Sequence, residues 1–258
     1  AHISHLLALI DLAAKNDFPN IRIHLFTDGK DSGLKEAPIL IKKVQDHASQ
    51  AGVGFITTVI GRDYAMDRGK HWDNTKKAYD LLVRGAGEKT DDILQRIDTI
   101  YQMGYADSNL LPLITDKQGV VKDGDALVFF NFREDSMRQI ARSFIEDEFQ
   151  IFPVERFGNL YVAAMTQYLE DPRLKVAFPL PEIKNGLAEV LGLNGKKQLH
   201  IAESEKYAHT TYFFNCLNNA PYPGETDIFI ESLKDHALNP EMRAMEISDK
   251  VVSYINQD

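Results

Sequence analysis

Cysteine is almost absent. Cys216 stands alone among 258 residues, so no internal disulfide framework supports the fold, and this usage fits a reducing cytoplasm. Long apolar runs are missing too: none approaches the roughly 18 residues that span a bilayer, and a soluble protein with no membrane partner is expected. A basic surplus is also lacking. Lys and Arg number 29 against 38 Asp and Glu, a net charge of −9, which argues against nucleic-acid binding and means that any anionic ligand must be gripped by a local group of cations. No phosphate-cradling glycine loop, nucleophile elbow or zinc-ligand array occurs, nor any repeat or low-complexity tract. The chain lacks an initiator Met and opens with neither a signal nor a transit pattern, so Ala1 reads as an internal start in a longer protein.

What is present suffices for a globular core: 44% of residues are hydrophobic and 26% charged, over a length that suits one or two domains. Apolar residues at helical spacing, Leu6, Leu9, Ile10 and Ala13, place a helix at the start. Ile21–Phe26 reads as a strand, Thr27–Gly33 as a loop and Leu34–Ala51 as a helix. Phe55–Ile60, the loop Gly61–Asn74 and the helix Thr75–Val83 repeat that order, which implies parallel strands with helical crossovers. Asp91–Met103 is a further amphipathic helix. Ala126–Phe132 is so apolar that a central strand buried on both faces is expected. Leu160–Tyr168, Gln198–Ala202 and Thr211–Asn215 read as strands, Asn218–Glu225 as a turn-rich loop, and Glu182–Leu193 and Met242–Ile255 as helices. Pro179 and Pro181 mark a boundary near Lys175–Pro181. The fold class is therefore α/β, a mostly parallel sheet flanked by helices and followed by a second α/β segment.

Chemistry concentrates after the strands. Four predicted strands run directly into loops that carry cations: Lys30; Arg62 with Arg68; Arg133 with Arg138; and Lys206. Open α/β sheets bind ligands at the carboxyl ends of their strands, and guanidinium forks match carboxylate and phosphate oxygens. A small polyanion such as a phosphorylated carboxylic acid fits this group. Taken singly, Arg62 or Arg68 serves equally well in a surface ion pair with Asp63, Asp67 or Asp73. Asp31, beside Lys30, is the best general-base candidate, because a carboxylate next to a substrate hydroxyl can take its proton; the other reading is a loop cap. His2 and His5 have i, i+3 spacing but no accompanying ligand motif, and a structural role is expected. His209, three residues after Lys206, either orients a phosphate or ends its loop. No metal ligand is expected on this chain.

HxxHLxAL at His2–Leu9, DGKD at Asp28–Asp31, GRDYAMDRGKHWD at Gly61–Asp73, FFNFRED at Phe129–Asp135, QLHIAESEKYAH at Gln198–His209, PYPGE at Pro221–Glu225 and LNPEMRAMEISDKV at Leu238–Val251 together resemble the cofactor-independent phosphoglycerate mutases. The resemblance runs along nearly the whole chain. It implies a two-domain enzyme in which residues 1–179 are a phosphotransferase (substrate-binding) domain lacking its extreme amino terminus. Residues 180–258 would be part of an alkaline-phosphatase-like domain. It further implies interconversion of 3-phosphoglycerate and 2-phosphoglycerate through a phosphoserine, in glycolysis and gluconeogenesis, with two manganese ions bound elsewhere in the full-length enzyme, which is expected to be a cytoplasmic monomer. Carried over, Arg62, Arg68 and Arg133 clamp the substrate, Lys30 assists, Asp31 handles the hydroxyl proton and Lys206 acts from the phosphatase side. Two positions depart from the family pattern. Lys30 replaces an arginine, keeping the charge without the fork, and Ser136 replaces another, removing a cation unless Arg138 supplies it. The serine nucleophile, most metal ligands and one substrate-binding histidine would lie outside this chain, which alone is not expected to turn over. The readings from other classes are a non-catalytic phospho-acid binding module and a phosphopentomutase or phosphohydrolase of the same superfamily.

Overall fold

The computed structural model describes residues 2–179, 181–233 and 238–256. The chain divides into two compact units, Ala1–Leu180 and Pro181–Asp258. The first opens with α1 (Ile3–Lys15), whose amino terminus is capped by the His2 ring accepting the Ser4 N–H. Strand β1 (Arg22–Thr27), helix α2 (Ala37–Ala51) and strand β2 (Phe55–Gly61) follow as one crossover unit. Helix α2 starts with a proline in its first turn and stops at Gly52, whose φ of +70° favours a residue without a side chain. Next come the short α3 (Arg62–Ala65), α4 (Trp72–Arg84), β3 (Glu88–Lys89), α5 (Ile93–Gln102) and β4 (Leu113–Ile114). The unit closes with β5 (Ala126–Phe129), α6 (Glu134–Ile145), β6 (Tyr161–Ala164) and β7 (Leu174–Val176).

Two sheets result. One has the order β1-β2-β4-β3, with β1 parallel to β2, β3 parallel to β4 and β2 antiparallel to β4; the other, β5-β6-β7, is wholly parallel. Strand β2 joins the two cores of the unit. Its register against β1 slips by one residue after Ile23–Ile56, leaving Thr57 extra. As a result Ile56 and Val59 pack with Leu6, Ile10, Ile41, Val44, Ile97 and Ile100, while Ile60 packs with Tyr79, Leu82, Met137 and Ile140. Each such buried side chain contributes about 1.5–3 kcal/mol.

The buried turn Asp107–Leu110 fastens α2 and both strand ends together. The Asp107 carboxylate accepts the Glu36 and Ala37 N–H groups at the start of α2, 2.9 Å each, and the Tyr101 hydroxyl. Its carbonyl accepts the Thr27 hydroxyl at 2.6 Å, and the Leu110 carbonyl accepts the Gly61 N–H at 2.9 Å. Burial pushes the Asp107 carboxyl above the usual range, and the Tyr101 and backbone bonds oppose that only in part.

The second unit holds α7 (Leu187–Leu193), β8 (Gln198–Glu203), α8 (Tyr207–Thr210), β9 (Glu225–Ile230) and α9 (Ala244–Ile255), with β8 parallel to β9. The protein is thus an α/β fold with mostly parallel strands flanked by helices, and no helix among the described residues is long and apolar enough to cross a membrane.

Two expected strands differ. The run Ala126–Phe132 is not central: its strand stops at Phe129, where the chain leaves the sheet towards α6, and among the described residues it is an edge that pairs only with β6, with Val128 49% exposed. Thr211–Asn215 is a succession of turns. The Thr211, Phe213 and Asn215 N–H groups bond to Tyr207, Ala208 and Thr211 carbonyls, and the partner of β8 is Glu225–Ile230 instead. Local aromatic and β-branched content favours a strand there, but Asn215 is drawn inward to bond Glu225 at 2.6 Å.

Replacing Asp107 by Ala should lower stability by roughly 2–4 kcal/mol, since two helix N–H groups and a buried hydroxyl lose their acceptor; urea denaturation reads this directly, and a loss under about 0.5 kcal/mol would contradict the fastening role. His24 supplies a pH test. Burial pushes its imidazole down to about 4, while its Nδ1 lies 2.8 Å from the Thr58 hydroxyl. With the folded value below the unfolded one, the unfolded chain binds the extra proton, so stability should fall as pH drops from about 6.5 towards 4. His24→Gln should flatten that part of the pH profile, and an unchanged profile would assign the effect to other groups.

Candidate functional site

Three strand-end loops of the first unit meet. After β1, the residues Asp28–Asp31 turn tightly, with the Asp28 carboxylate accepting the Lys30 and Asp31 N–H groups at 3.4 Å each. Gly29 is obligatory there: its φ is +66°, and a Cβ would stand 2.7 Å from the Ser108 nitrogen. Gly61 ends β2 under the same steric constraint, since a Cβ would lie 2.5 Å from the Leu110 nitrogen. Both loops therefore rest on the Asp107–Leu110 turn. Arg62, the first residue of α3, reaches back to the β1 loop, where one of its terminal nitrogens bonds Asp28 and also Asp31 at 3.0 Å. Lys30 pairs in the other direction with Asp63.

Asp135, in the first turn of α6, organises the remaining arginines. Arg133 binds it with two nitrogens, at 2.6 and 3.1 Å, and Arg68 donates to it at 2.6 Å. The Ser136 hydroxyl adds a bond at 3.0 Å. Burial would raise the Asp135 carboxyl, but these donors outweigh it and hold the group well below the usual carboxylate range. Asp28 is likewise depressed: burial opposes, and Arg62 with the Asp31 and Lys30 N–H groups prevails. Arg133 is kept protonated first by its Asp135 bonds, against burial, and its charge is also felt by Arg62 and Asp31, so the two sets of ion pairs are neighbours.

The loop that bears Arg68 is held from beneath. Asp67 accepts the Gly69 and His71 N–H groups at 3.0 Å each and the His71 ring at 2.8 Å. Buried Gln139 of α6 donates to Asp67 at 3.0 Å and to Thr75 at 2.9 Å, and it accepts the Lys70 N–H at 2.8 Å.

Lys30, Arg62, Arg68 and Arg133 thus come together with four carboxylates, Asp28, Asp31, Asp63 and Asp135, in near charge balance. Arg62 is the anchored member, with its side chain 15% exposed, whereas Arg68 and Arg133 are more than half exposed and Asp31 is 77% exposed. An arriving polyanion can exchange places with these carboxylates around arginines that are already aimed. The surface pairing with Asp63, Asp67 or Asp73 expected for a lone arginine is not what Arg62 and Arg68 make. Their partners Asp28 and Asp135 are distant in sequence, and only their place at adjoining strand ends could have revealed them.

Arg138 bonds the Tyr168 carbonyl at 3.2 Å and does not replace the cation missing at Ser136, which is itself buried. Lys206 is exposed at the start of α8 in the second unit. His2 serves as the α1 cap, and His5 packs against Phe132 at 4.9 Å. His209 lies against Phe213 at 5.4 Å. Sequence reasoning also missed His200, Glu225 and Asp227 of the second unit, whose ligand-type atoms lie within 4.8 Å of one another. The signal was weak, because the three come from two strands that pair only in the fold.

Residues 1–170 match the family model described as BPG-independent PGAM N-terminus. The 2,3-bisphosphoglycerate-independent phosphoglycerate mutase of Thiobacillus denitrificans is 39% identical over 99% of this chain and 51% of its own length. That of Clostridioides difficile is 39% identical over 100% and 52%, and mutase 1 of Methanosarcina acetivorans is 42% identical over 99% and 51%. The chain spans about half the length of the curated relatives it matches. A crystal structure of Leishmania mexicana phosphoglycerate mutase at low cobalt concentration superposes with a TM-score of 0.80 at 23% identity, covering 98% of this chain and 49% of that one, a likeness of fold. By sequence, then, the chain belongs to the BPG-independent PGAM N-terminus family, the amino-terminal part of the 2,3-bisphosphoglycerate-independent phosphoglycerate mutases.

Proposed function

We propose that this chain supplies the phosphoglycerate-binding part of a mutase that interconverts 3-phosphoglycerate and 2-phosphoglycerate through a phosphoserine, in the cytoplasmic reactions of glycolysis and gluconeogenesis. The observation that carries this reading is the meeting of Lys30, Arg62, Arg68 and Arg133 from three strand-end loops around replaceable carboxylates. A phosphoglycerate presents a carboxylate and a phosphate a few bonds apart, and two guanidinium pairs held by separate carboxylates suit two separate anionic groups. In this reading residues 1–179 are the phosphotransferase domain and residues 180–258 part of the phosphatase domain. Arg62 serves as the fixed anchor, while Arg68 and Arg133 swing from Asp135 to the ligand. Asp31, released from Arg62, takes or returns the proton of the substrate hydroxyl, and Lys206 is the second unit's contribution to phosphoryl transfer.

The two manganese ions implied by the family resemblance require donor sets for two ions. Among the described residues there is one three-residue group, His200, Glu225 and Asp227, and it does not fit such a pair.

Calorimetry of the chain with 3-phosphoglycerate should show binding that Arg62→Ala and Arg133→Ala each weaken about 10–100-fold, the worth of one or two charge-assisted bonds; equal affinity in all three proteins would remove the cluster as the site. In an enzyme of the relatives' full length, Asp31→Asn should lower kcat more than it raises KM, because proton transfer is felt in the transition state, and Lys206→Ala should slow phosphoryl transfer while folding is retained. Near-normal kcat for Asp31→Asn would leave Asp31 a loop residue.

A further inference from the structure

Strands β8 and β9 pair in register, His200 opposite Asp227 and Gln198 opposite Glu225. Residues paired across a sheet share a face, as do residues two apart on one strand, so His200, Glu225 and Asp227 project together. The His200 Nδ1 lies 3.1 Å from a Glu225 oxygen and 3.5 Å from an Asp227 oxygen. A tetrahedral ion with bonds of about 2.0–2.1 Å holds neighbouring donors about 3.3 Å apart, close to the two distances from His200, and all three donor atoms lie within 4.8 Å of one another.

The group is incomplete without a ligand. His200 is 8% exposed and the Glu225 side chain fully buried, yet the His200 Nδ1 and the facing Asp227 oxygen make no hydrogen bond. At 3.1 Å the ring nitrogen meets the distance of a hydrogen bond but not its direction, so an ordinary imidazolium–carboxylate bond does not account for it. Two carboxylates also crowd one place, since oxygens of Glu225 and Asp227 both face the same His200 nitrogen. Glu225 is held in orientation by its surroundings, since one oxygen accepts the Asn215 amide at 2.6 Å and the other the Tyr222 N–H at 2.7 Å. Metal sites depend on such outer contacts to aim their ligands. Asp227 remains partly exposed, which leaves a side open to water.

We propose that His200, Glu225 and Asp227 form a divalent-metal site, suited to Zn²⁺ by one imidazole and two carboxylates, with water as the fourth ligand, and that the ion clips β8 to β9. Imidazole with carboxylates suits Zn²⁺, and three protein ligands leave a tetrahedral position for solvent. Binding there cross-links two strands separated by more than twenty residues of turn-rich chain, so it should stabilise the second unit.

The metal-free chain titrated with ZnCl₂ by calorimetry should take up one equivalent, and Co²⁺ in its place should give the visible absorption of a tetrahedral ion. His200→Gln and Asp227→Asn should each weaken Zn²⁺ binding on the order of 100-fold or more, a direct ligand mattering at least as much as the outer contacts that orient it. His2→Gln with His209→Gln should leave the titration unchanged. Zn²⁺ should raise Tm for the wild-type chain and not for Asp227→Asn, whose partly exposed position lets the variant fold with near-normal Tm in EDTA. Absence of stoichiometric binding, or binding that survives both His200→Gln and Asp227→Asn, would overturn the proposal and leave the group a strained ion-pair network.

Discussion

The Asp107 carboxylate bonds the first amides of α2 and the Tyr101 hydroxyl, and the turn it begins receives Thr27 from β1 and Gly61 from β2. A buried carboxylate of this kind is costly unless all its partners are present, so α2, α5 and the ends of two strands must be in place together. The approach is so close that both arriving loops need glycine, at 29 and 61. Once they are seated, Asp28 and Arg62 are held together at the strand ends, while the exposed Asp31 adds one further bond to Arg62. Positioning of the anchor arginine thus follows from packing beneath it.

Above that base the site is built from opposed charges. Each cation of the cluster already has a carboxylate partner, which keeps guanidinium groups of like charge from repelling one another and aims them before any ligand arrives. An anion bound there would gain only the difference between its own contacts and those it displaces, which would temper its affinity. A net charge of −9 and a local group of cations are compatible for the same reason: the field is local, and the surrounding acid residues screen it. Arg62 is secured by two carboxylates and largely buried, whereas Arg68 and Arg133 share one and stay exposed, so the cluster combines a fixed member with two adjustable ones.

Much of this is legible in the order of residues along the chain. Alternating strand and helix patterns from Ile21 to Val83 imply parallel strands with helical crossovers, because a strand and an amphipathic helix have different periods and each must bury its apolar side. Cations placed just after apolar strands imply an anion site, and the motifs from His2 to Val251 carry the family resemblance. Less legible is whatever depends on a partner far along the chain. The aromatic run Thr211–Asn215 has strand composition, yet its backbone bonds locally and Glu225–Ile230 takes the place beside β8. The apolar Ala126–Phe132 reads as central, and only pairing could show that it is an edge.

Residues near one another in the chain dictate the period of each element and the charges that stand at the strand ends, so the amino-acid sequence is sufficient for these. Tertiary packing settles which charges meet: that Arg62 answers to Asp28 and Asp31, that Asp135 gathers Arg68 with Arg133, that Arg138 turns away to a carbonyl, and that His200 faces Asp227 and Glu225. The physical reason is common to all of them. Hydrogen bonds and ion pairs act over a few ångströms, and which groups come within that range is fixed by the packing of β-strand registers and by the buried turn at Asp107, neither of which local sequence encodes.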